Sequence, residues 1–205
     1  MNLSLNEWEA LAKKALRGAG LPWGIAEVAA KLSRTAVVKD HKIVEDLADW
    51  VALCDIQSMS GPKAVFQDTI RPAKTAKFLC PILTGIAIWD AEYSSSDLHG
   101  LNFENLVFPR LLGMFIDNIV SQPLAQNRSE FVGCTFDQDA HAQGNNVTVY
   151  LMPEKTCHAP RDLASRLDLT PDLHQLFASY ALRTYAPATE ASRLLGAGAG
   201  LTDNE

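Results

Sequence analysis

Apolar residues recur at helical spacing through the first quarter of the chain. Ser4 and Glu7 have the spacing of a capping box, in which each side chain satisfies the other's backbone N–H, and an apolar stripe then runs as far as Gly18. Pro22 stands where a second helix would begin, because proline's fixed backbone angle suits a first helical turn. A third apolar stripe runs over about Lys42 to Cys54. The pattern therefore predicts three N-terminal helices.

The pattern changes in the middle of the chain. The stretches FLCPILTGIAIWDAE and LVFPRLLGMFIDNIV are aliphatic and aromatic but contain proline and glycine, which favours strands with bends or bulges. FVGCTFD and NNVTVYL are clearer strands, because both are rich in β-branched or aromatic residues. The polar QDAHAQGN between them is typical of a hairpin loop. A mainly antiparallel central sheet is expected.

The last third is again typical of helices. Pro160 is expected to open a short one, and Thr170, Pro171 and Asp172 supply a cap, a first-turn proline and a first-turn acid for another. Helices, then strands, then helices is an α+β order. We expect an N-terminal helical segment (1–57), an α+β body (62–185) and a glycine-rich C-terminal segment (186–205), together forming one structural domain.

Composition limits the class of partner. The chain has 205 residues, 47% of them hydrophobic and 20% charged, with a net charge of -6. Such acidity disfavours a nucleic-acid partner, whose phosphates need a basic surface. We also expect no membrane partner and a cytoplasmic location, because the sequence has neither a signal-peptide pattern nor an apolar run that could cross a bilayer. Four scattered cysteines are typical of reduced thiols.

The C-terminal stretch RTYAPATEASRLLGAGAGLTDNE is the first candidate site. Arg183 and Arg193 are candidate anion anchors, because a guanidinium binds carboxylate or phosphate through two parallel hydrogen bonds. Tyr185 is a candidate wall and donor, and Glu190 a candidate orienting or proton-transferring carboxylate. Glycines at alternate positions would let the backbone approach a ligand: Gly196, Gly198 and Gly200. Alternatively, this is a flexible end with solvated arginines.

The stretch RGAGLPWGIAE is the second candidate. A glycine-rich corner that opens onto a helix start offers backbone N–H groups to an anion, and its candidate residues are Arg17, Gly18, Gly20, Trp23 and Glu27. The alternative is a plain helix-to-helix turn anchored by Trp23. We expect the C-terminal segment to fold back on this corner and bind a small anionic or zwitterionic metabolite. A noncatalytic protein that forms homo-oligomers through the same segment is the main alternative.

Other chemistry has weaker signals. The pair Cys157 and His158 is a poor catalytic dyad, because neighbours in an extended chain point in opposite directions. The five histidines include no pair at the i, i+4 spacing of a helical metal site, and no metal is expected. Lys31 and Arg34 are too few for a DNA-recognition helix. No catalytic residue or cofactor is predicted, and enzymatic activity is left open.

The two candidate stretches carry a family resemblance. The pattern RGAG-x-x-WG-x-AE near the start, taken with RTY-x-P-x-x-E-x-SR and GAGAG at the end, resembles a bacterial family described only as a domain of unknown function. That resemblance implies no activity or ligand. AGLPWGIAEVAAKL and DLHG are similar to the malate/L-lactate dehydrogenase type of nicotinamide enzyme, which implies an acid/base role for His99. Leu98 stands where that pattern has serine, so a dehydrogenase is the remotest alternative.

Overall fold

The computed structural model describes residues 1–56, 58–73, 76–121, 134–135, 145–151 and 165–185. Its helices are α1 (Leu5–Gly18), α2 (Trp23–Lys39), α3 (Lys42–Cys54), α4 (Pro81–Asp90), α5 (Ser95–Leu98), α6 (Pro109–Ser121) and α7 (Pro171–Leu182). Its strands are β1 (Asn2–Ser4), β2 (Met59–Ser60), β3 (Thr69–Ile70), β4 (Phe78–Leu79), β5 (Asn102–Leu106), β6 (Cys134–Thr135), β7 (Asn145–Thr148), β8 (Tyr150–Leu151) and β9 (Arg166–Asp168). The α+β order is confirmed.

Local capping signals set the ends of the helices. Ser4 and Glu7 form the predicted capping box of α1, with Ser4 N–H donating to Glu7 Oε2 at 2.7 Å and Glu7 N–H donating to Ser4 Oγ at 3.2 Å. Thr170 caps α7 in the same manner, since its Oγ1 accepts from the Leu173 N–H at 3.3 Å. The three predicted N-terminal helices are likewise confirmed.

Helix α1 lies at the centre of a helical layer. It packs between α2 and α7, and β1 pairs antiparallel with β9, so both ends of the described chain meet there. Trp8 of α1 is fully buried: its indole N–H donates to Ser33 Oγ at 3.1 Å and its ring meets Phe177 edge-on at 5.1 Å. The N- and C-terminal helices therefore share one hydrophobic core.

The central sheet is mixed rather than mainly antiparallel. Strand β5 pairs in parallel with β3 and β4 along one edge and antiparallel with β7 along the other, while β2 pairs in parallel with β4. A register shift between Phe103 and Leu106 accompanies a positive φ of 54° at Asn105, which is the signature of a bulge. Strands β4 and β5 are parallel because α4 and α5 separate them in the chain, and a helical crossover of that kind joins parallel strands.

Two apolar stretches that the sequence predicted as bent strands are mostly helical. Pro81 and Pro109 begin α4 and α6, where a missing N–H costs nothing because the first turn of a helix has no partner for it. Each of the two prolines that suggested an interrupted strand thus begins a helix. Only Phe78–Leu79 and Leu106 of these stretches lie in strands.

Helix α6 separates two hydrophobic cores, which explains why it is apolar on two faces. Leu111 and Phe115 pack into the core of the helical layer, whereas Leu112 and Ile116 pack into the core under the sheet. Gly85 of α4 lets the two helices approach, because a β-carbon there would lie 2.3 Å from Phe115 Cγ. The helical period is weak in α4, which is apolar all round, whereas α6 has an amphipathic helical pattern that the sequence prediction missed.

Several predictions concern strands and loops near the C-terminal third. The antiparallel pairing of FVGCTFD with NNVTVYL is confirmed for β6 and β8. The hairpin loop (138–144) and the short helix expected at Pro160 lie outside the described residues. The division of the chain at residues 57, 62 and 186 stays a prediction.

Candidate functional site

The turn between α1 and α2 forms one wall of the predicted site. Gly18 ends α1, and Gly20 has a φ of 108°, in the left-handed region that favours glycine. The turn closes through hydrogen bonds from the N–H of Leu21 to Leu16 O and from the N–H of Gly20 to Arg17 O. The predicted helix-to-helix corner is therefore present, with Trp23 48% exposed at its edge.

The end of α7 forms the opposite wall. A β-carbon on Gly18 would lie 1.8 Å from the carbonyl oxygen of Tyr180, so only glycine allows this approach of α1 and α7. Just beyond α7, Tyr185 Oη accepts a hydrogen bond from Lys14 Nζ at 2.8 Å, and that ammonium lies 5.3 Å from the Tyr185 ring centroid. The chain after α7 thus returns to the corner as far as residue 185.

Arg183 already has a partner within this wall. Its two terminal nitrogens donate to both carboxylate oxygens of Asp55 at 2.8 Å, and its guanidinium lies 3.9 Å from the Tyr180 ring centroid. Tyr180 Oη also donates to Asp55 Oδ2 at 2.9 Å. The hydrogen bonds from Arg183 and Tyr180 lower the pKa of Asp55, while burial and the neighbouring Asp55 raise the pKa of Tyr180. The pair docks α7 on the end of α3.

Charges around the corner divide into paired and unpaired groups. Lys13 Nζ and Glu27 Oε2 form an ion pair at 2.6 Å, which lowers the pKa of Glu27. Arg17 donates from Nη1 to Leu21 O at 3.0 Å, and its guanidinium lies 5.7 Å from the Trp23 ring centroid. Among the described residues, neither Lys14 nor Arg17 forms an ion pair with a carboxylate.

The start of α2 lies at the same corner and has no negatively charged or capping side chain to offset the positive end of its helix dipole. Pro22 occupies its cap position, which provides no side-chain hydrogen bond, and its first turn contains no acidic residue. The starts of α1 and α7, by contrast, each have a side-chain cap and an acidic residue in the first turn. The positive end of the α2 dipole therefore adds to the charges of Lys14 and Arg17.

The structure brings together only the described part of the predicted site. Arg17, Gly18, Gly20, Trp23 and Glu27 lie on one wall, and Arg183 and Tyr185 lie on the other. The remaining predicted residues lie outside the described residues: Glu190, Arg193, Gly196, Gly198 and Gly200.

Sequence reasoning missed two residues of this corner. Lys14 precedes Arg17 by three positions and so shares its helical face, a spacing that could have identified it. Asp55 carries no local signal, because its partner Arg183 is 128 residues away in the chain.

His99, the histidine of the dehydrogenase resemblance, lies elsewhere. It lines a cavity of about 660 Å³ together with the stacked rings of Phe66 and Tyr93, whose centroids are 5.9 Å apart, and the carboxylates of Asp68 and Asp97. Asp97 is engaged in a capping box with Ser94 at the start of α5. An acid/base role for His99 stays a prediction.

Within the described ranges, His, Cys, Asp and Glu side chains form no group of three that could hold a metal ion. In the same part of the chain, every helix is too short or too polar to span a bilayer.

Comparison with known proteins places the similarity at this corner. Residues 3–40 match the model of a family described as "Protein of unknown function (DUF3726)". The expected similarity to a family of unknown function is thereby confirmed over β1, α1 and α2, while the C-terminal motif lies beyond the match. No curated protein and no solved structure matches the chain.

Proposed function

We propose that the protein binds a small anionic or zwitterionic metabolite at the corner between α1, α2 and the end of α7. The observation that carries the proposal is the position of Lys14 and Arg17, two cations without a carboxylate partner in the described residues, between the exposed rings of Tyr185 and Trp23. A bacterial cytoplasmic location is part of the proposal and rests on the sequence.

The two cations suit a single anionic group. Residues three positions apart on a helix lie on one face, so both side chains can reach the same carboxylate or phosphate. A guanidinium offers several donors in a fixed plane, and Arg17 uses one of them for Leu21 O. The uncapped start of α2 adds backbone N–H groups of the same polarity.

The surrounding residues suit the rest of such a ligand. Trp23 is 48% exposed and Tyr185 is 57% exposed, which leaves two aromatic faces to cover apolar or planar atoms. Glu27 lies beside the corner, paired with Lys13, and could meet the ammonium of a zwitterion. Arg183 would act by holding α7 in place through Asp55 rather than as the anion anchor.

A binding screen tests the proposal. Thermal shift and calorimetry with inorganic phosphate, succinate, citrate and glutamate at low salt should find at least one compound that stabilises the folded protein by mass action. Lys14→Gln and Arg17→Gln should each weaken that compound's affinity by roughly ten-fold, the value of one charged hydrogen bond.

Lys42→Gln is the matched control, because Lys42 is an exposed lysine at the start of α3 and its loss changes the net charge equally. The affinity of Lys42→Gln for that compound should equal that of the wild type. Equal affinities in all three variants, or no binding of any of these anions, would overturn the proposal.

The assembly alternative has one observation in its favour. Leu182 is 66% exposed at the end of α7, close in the chain to the exposed Tyr185, and such apolar groups can cover a partner. Light scattering of the full chain and of Leu182→Glu separates the two functions. A dimer in the wild type that dissociates in the variant would favour the assembly function. A monomer in both would contradict the assembly function and favour metabolite binding.

A further inference from the structure

We propose that the cavity lined by Phe66, Tyr93 and His99 binds an aliphatic polyamine, a flexible chain with several ammonium groups. The two aromatic rings would cover its methylene groups, and carboxylates at separate points of the lining would pair with its ammonium groups. This cavity shares no lining residue with the charged corner between α1, α2 and α7, so the proposal goes beyond the proposed function and does not depend on it.

The cavity lies beside the core under the sheet, where three segments of the chain meet. Its lining comes from residues 66–68 ahead of β3, residues 91–93 after α4, and residues between 97 and 101, which connect α5 to β5. Tyr93 and Leu101 also pack into that core, which holds the segments in place. At the ~30 Å³ that a water occupies in the liquid, the volume of about 660 Å³ holds roughly twenty waters, so a chain of about ten heavy atoms fits with part of its hydration.

The charges of the lining are one-sided. Among the described residues, the lining contains the carboxylates of Asp68, Glu92 and Asp97 but no lysine or arginine. Asp68 and Glu92 form no ion pair with any described residue. Hydrogen bonds from Ser94 lower the pKa of Asp97, so this carboxylate is ionised at neutral pH. The lining therefore attracts a cation.

The arrangement of these carboxylates suits an extended cation rather than a metal ion. In the part of the chain that the structure describes, acidic, histidine and cysteine side chains form no group of three that could hold a metal. A metal ion needs its oxygen ligands to converge on one point, whereas a polyamine carries ammonium groups several bonds apart. Carboxylates that share a cavity without converging can therefore each meet a different ammonium group.

An exposed aromatic pair distinguishes this cavity from an ordinary acidic surface. Phe66 stacks on Tyr93 with the ring centroids 5.9 Å apart and an angle of 13° between the planes, yet Phe66 is 79% exposed. The Tyr93 hydroxyl donates to the carbonyl oxygen of Val65, which fixes the segment that carries Phe66. The face of an aromatic ring attracts an ammonium group and covers adjacent methylene groups. The exposed side of Phe66 thus supplies the apolar contact for the methylene chain.

The turn that ends α4 holds Glu92 at the cavity in a costly conformation. The φ of Glu92 is 54°, in the left-handed region, and hydrogen bonds close the turn from the Glu92 N–H to Trp89 O at 3.0 Å and from the Tyr93 N–H to Ile88 O at 3.4 Å. Glycine or asparagine is usual at this position of a helix end. A residue that costs folding free energy beside a cavity is a candidate for function, and here it contributes a charge to the lining.

Solution NMR and calorimetry of the full-length protein at low salt test the proposal, with spermidine as the probe. Spermidine should bind saturably, and its methylene protons that lie over the ring of Phe66 should shift upfield. Phe66→Leu should abolish that shift and weaken binding about three-fold, the value of one exposed cation–π contact. No binding, binding without an upfield shift, or equal affinity in Phe66→Leu would refute a site at this aromatic pair.

Substitutions of the carboxylates test the charge contacts. Asp68→Asn and Glu92→Asn should each weaken spermidine binding about three-fold, as expected for an exposed ion pair. Asparagine also tolerates the left-handed backbone at Glu92, so that variant keeps the turn. Asp49→Asn is the matched control, because it removes an equal charge from an exposed position on α3 and should bind spermidine like the wild type. Equal affinities in all three variants, whether lowered or not, would show nonspecific attraction to an acidic protein and overturn the proposal.

Butylamine, which has a single ammonium group, tests the class of ligand. It should bind at least about ten-fold more weakly than spermidine, because two ion pairs of about three-fold each are lost. A butylamine affinity equal to that of spermidine would contradict the polyamine class.

Lys14→Gln separates failure of this proposal from failure of the proposed function. The variant should leave spermidine binding unchanged while it weakens binding of an anion at the charged corner. A loss of spermidine affinity in Lys14→Gln as large as that in Glu92→Asn would place the polyamine elsewhere and contradict this site.

Discussion

Gly18 of α1 faces the backbone of Tyr180 in α7 so closely that a β-carbon on Gly18 would lie 1.8 Å from the Tyr180 carbonyl oxygen. This contact brings the start and the end of the chain together, and it sets Tyr185 beside Lys14. The corner proposed as a binding site exists because two helices approach where one of them has no side chain.

Gly18→Ala should therefore destabilise the protein. The added methyl group must displace α7 or its carbonyl, and overpacking of this kind costs about 1–3 kcal/mol of unfolding free energy. Gly24→Ala is the control, because nothing lies within 4 Å of a β-carbon there, and alanine is the better helix former. Urea unfolding measures both. Equal stabilities of the two variants would contradict the close packing of α1 and α7.

Removing Arg110 should be more costly than removing an exposed arginine. Arg110 of α6 donates to Asp46 at 2.8 Å and pairs with Asp40 at 2.9 Å, and the Asp46 side chain is only 7% exposed. Arg110→Met leaves that buried carboxylate without its cation, for an expected loss of about 3 kcal/mol.

Arg71→Met is the matched control for Arg110, because Arg71 forms a two-bond pair with Glu104 at the surface. An exposed ion pair contributes little, so chemical unfolding should show a small change. If Arg71→Met lowered the free energy of unfolding as much as Arg110→Met does, burial of the ion pair would not be what decides the destabilisation.

The Asp55 ion pair should make stability depend on pH at the acid end. Hydrogen bonds from Arg183 and Tyr180 lower the pKa of Asp55 in the folded chain, so the unfolded chain binds more protons at acid pH. The stabilisation is complete above about pH 5, and it is lost as the pH falls through the usual aspartate value of about 3.9 and below.

Asp55→Asn should remove this dependence. Urea unfolding midpoints of wild type and variant should differ near neutral pH, and the difference should shrink as the pH falls below the usual aspartate pKa of about 3.9. Asp49→Asn, which changes an exposed carboxylate of α3, the helix that Asp55 follows, is the control and should follow the wild type. A gap between Asp55→Asn and wild type that stays constant with pH would contradict the assigned pair.

Cys80 should resist alkylation in the folded protein. Its thiol is buried and its pKa is raised to about 11, whereas the thiolate is the reactive species. At pH 8 a free thiol of pKa about 8.5 is roughly one-quarter ionised, so the folded thiol should react with iodoacetamide at least about a hundred-fold more slowly. Peptide mapping at timed intervals, with unfolded protein as the reference, measures this ratio. Similar rates in both states would contradict the burial of Cys80.

Local sequence signals predicted the helices well where the deciding contacts are local. The capping box of Ser4 and Glu7 and the cap at Thr170 each depend on residues three positions apart, so the sequence contains both partners. The same reasoning failed at Pro81 and Pro109. A proline is compatible with a bent strand or a helix start, and in α4, which is apolar all round, the periodicity that distinguishes the two is weak.

The candidate site was only partly predictable for a related reason. The glycine corner is a local feature, and residues 17–27 contain the turn that Gly20 requires. The partner of Arg183 could not be predicted, because the sequence around a surface arginine is the same whether that arginine binds a ligand or Asp55.

The sequence by itself determined the α+β order, the positions of the N-terminal helices and of α7, and the corner at Gly18 to Gly20. Tertiary structure alone decided the mixed sheet and the pairing of Asp55 with Arg183. The physical reason is range: caps and turns are satisfied within a few residues, whereas strand partners, ion pairs and cavities depend on which distant segments the folded core brings together.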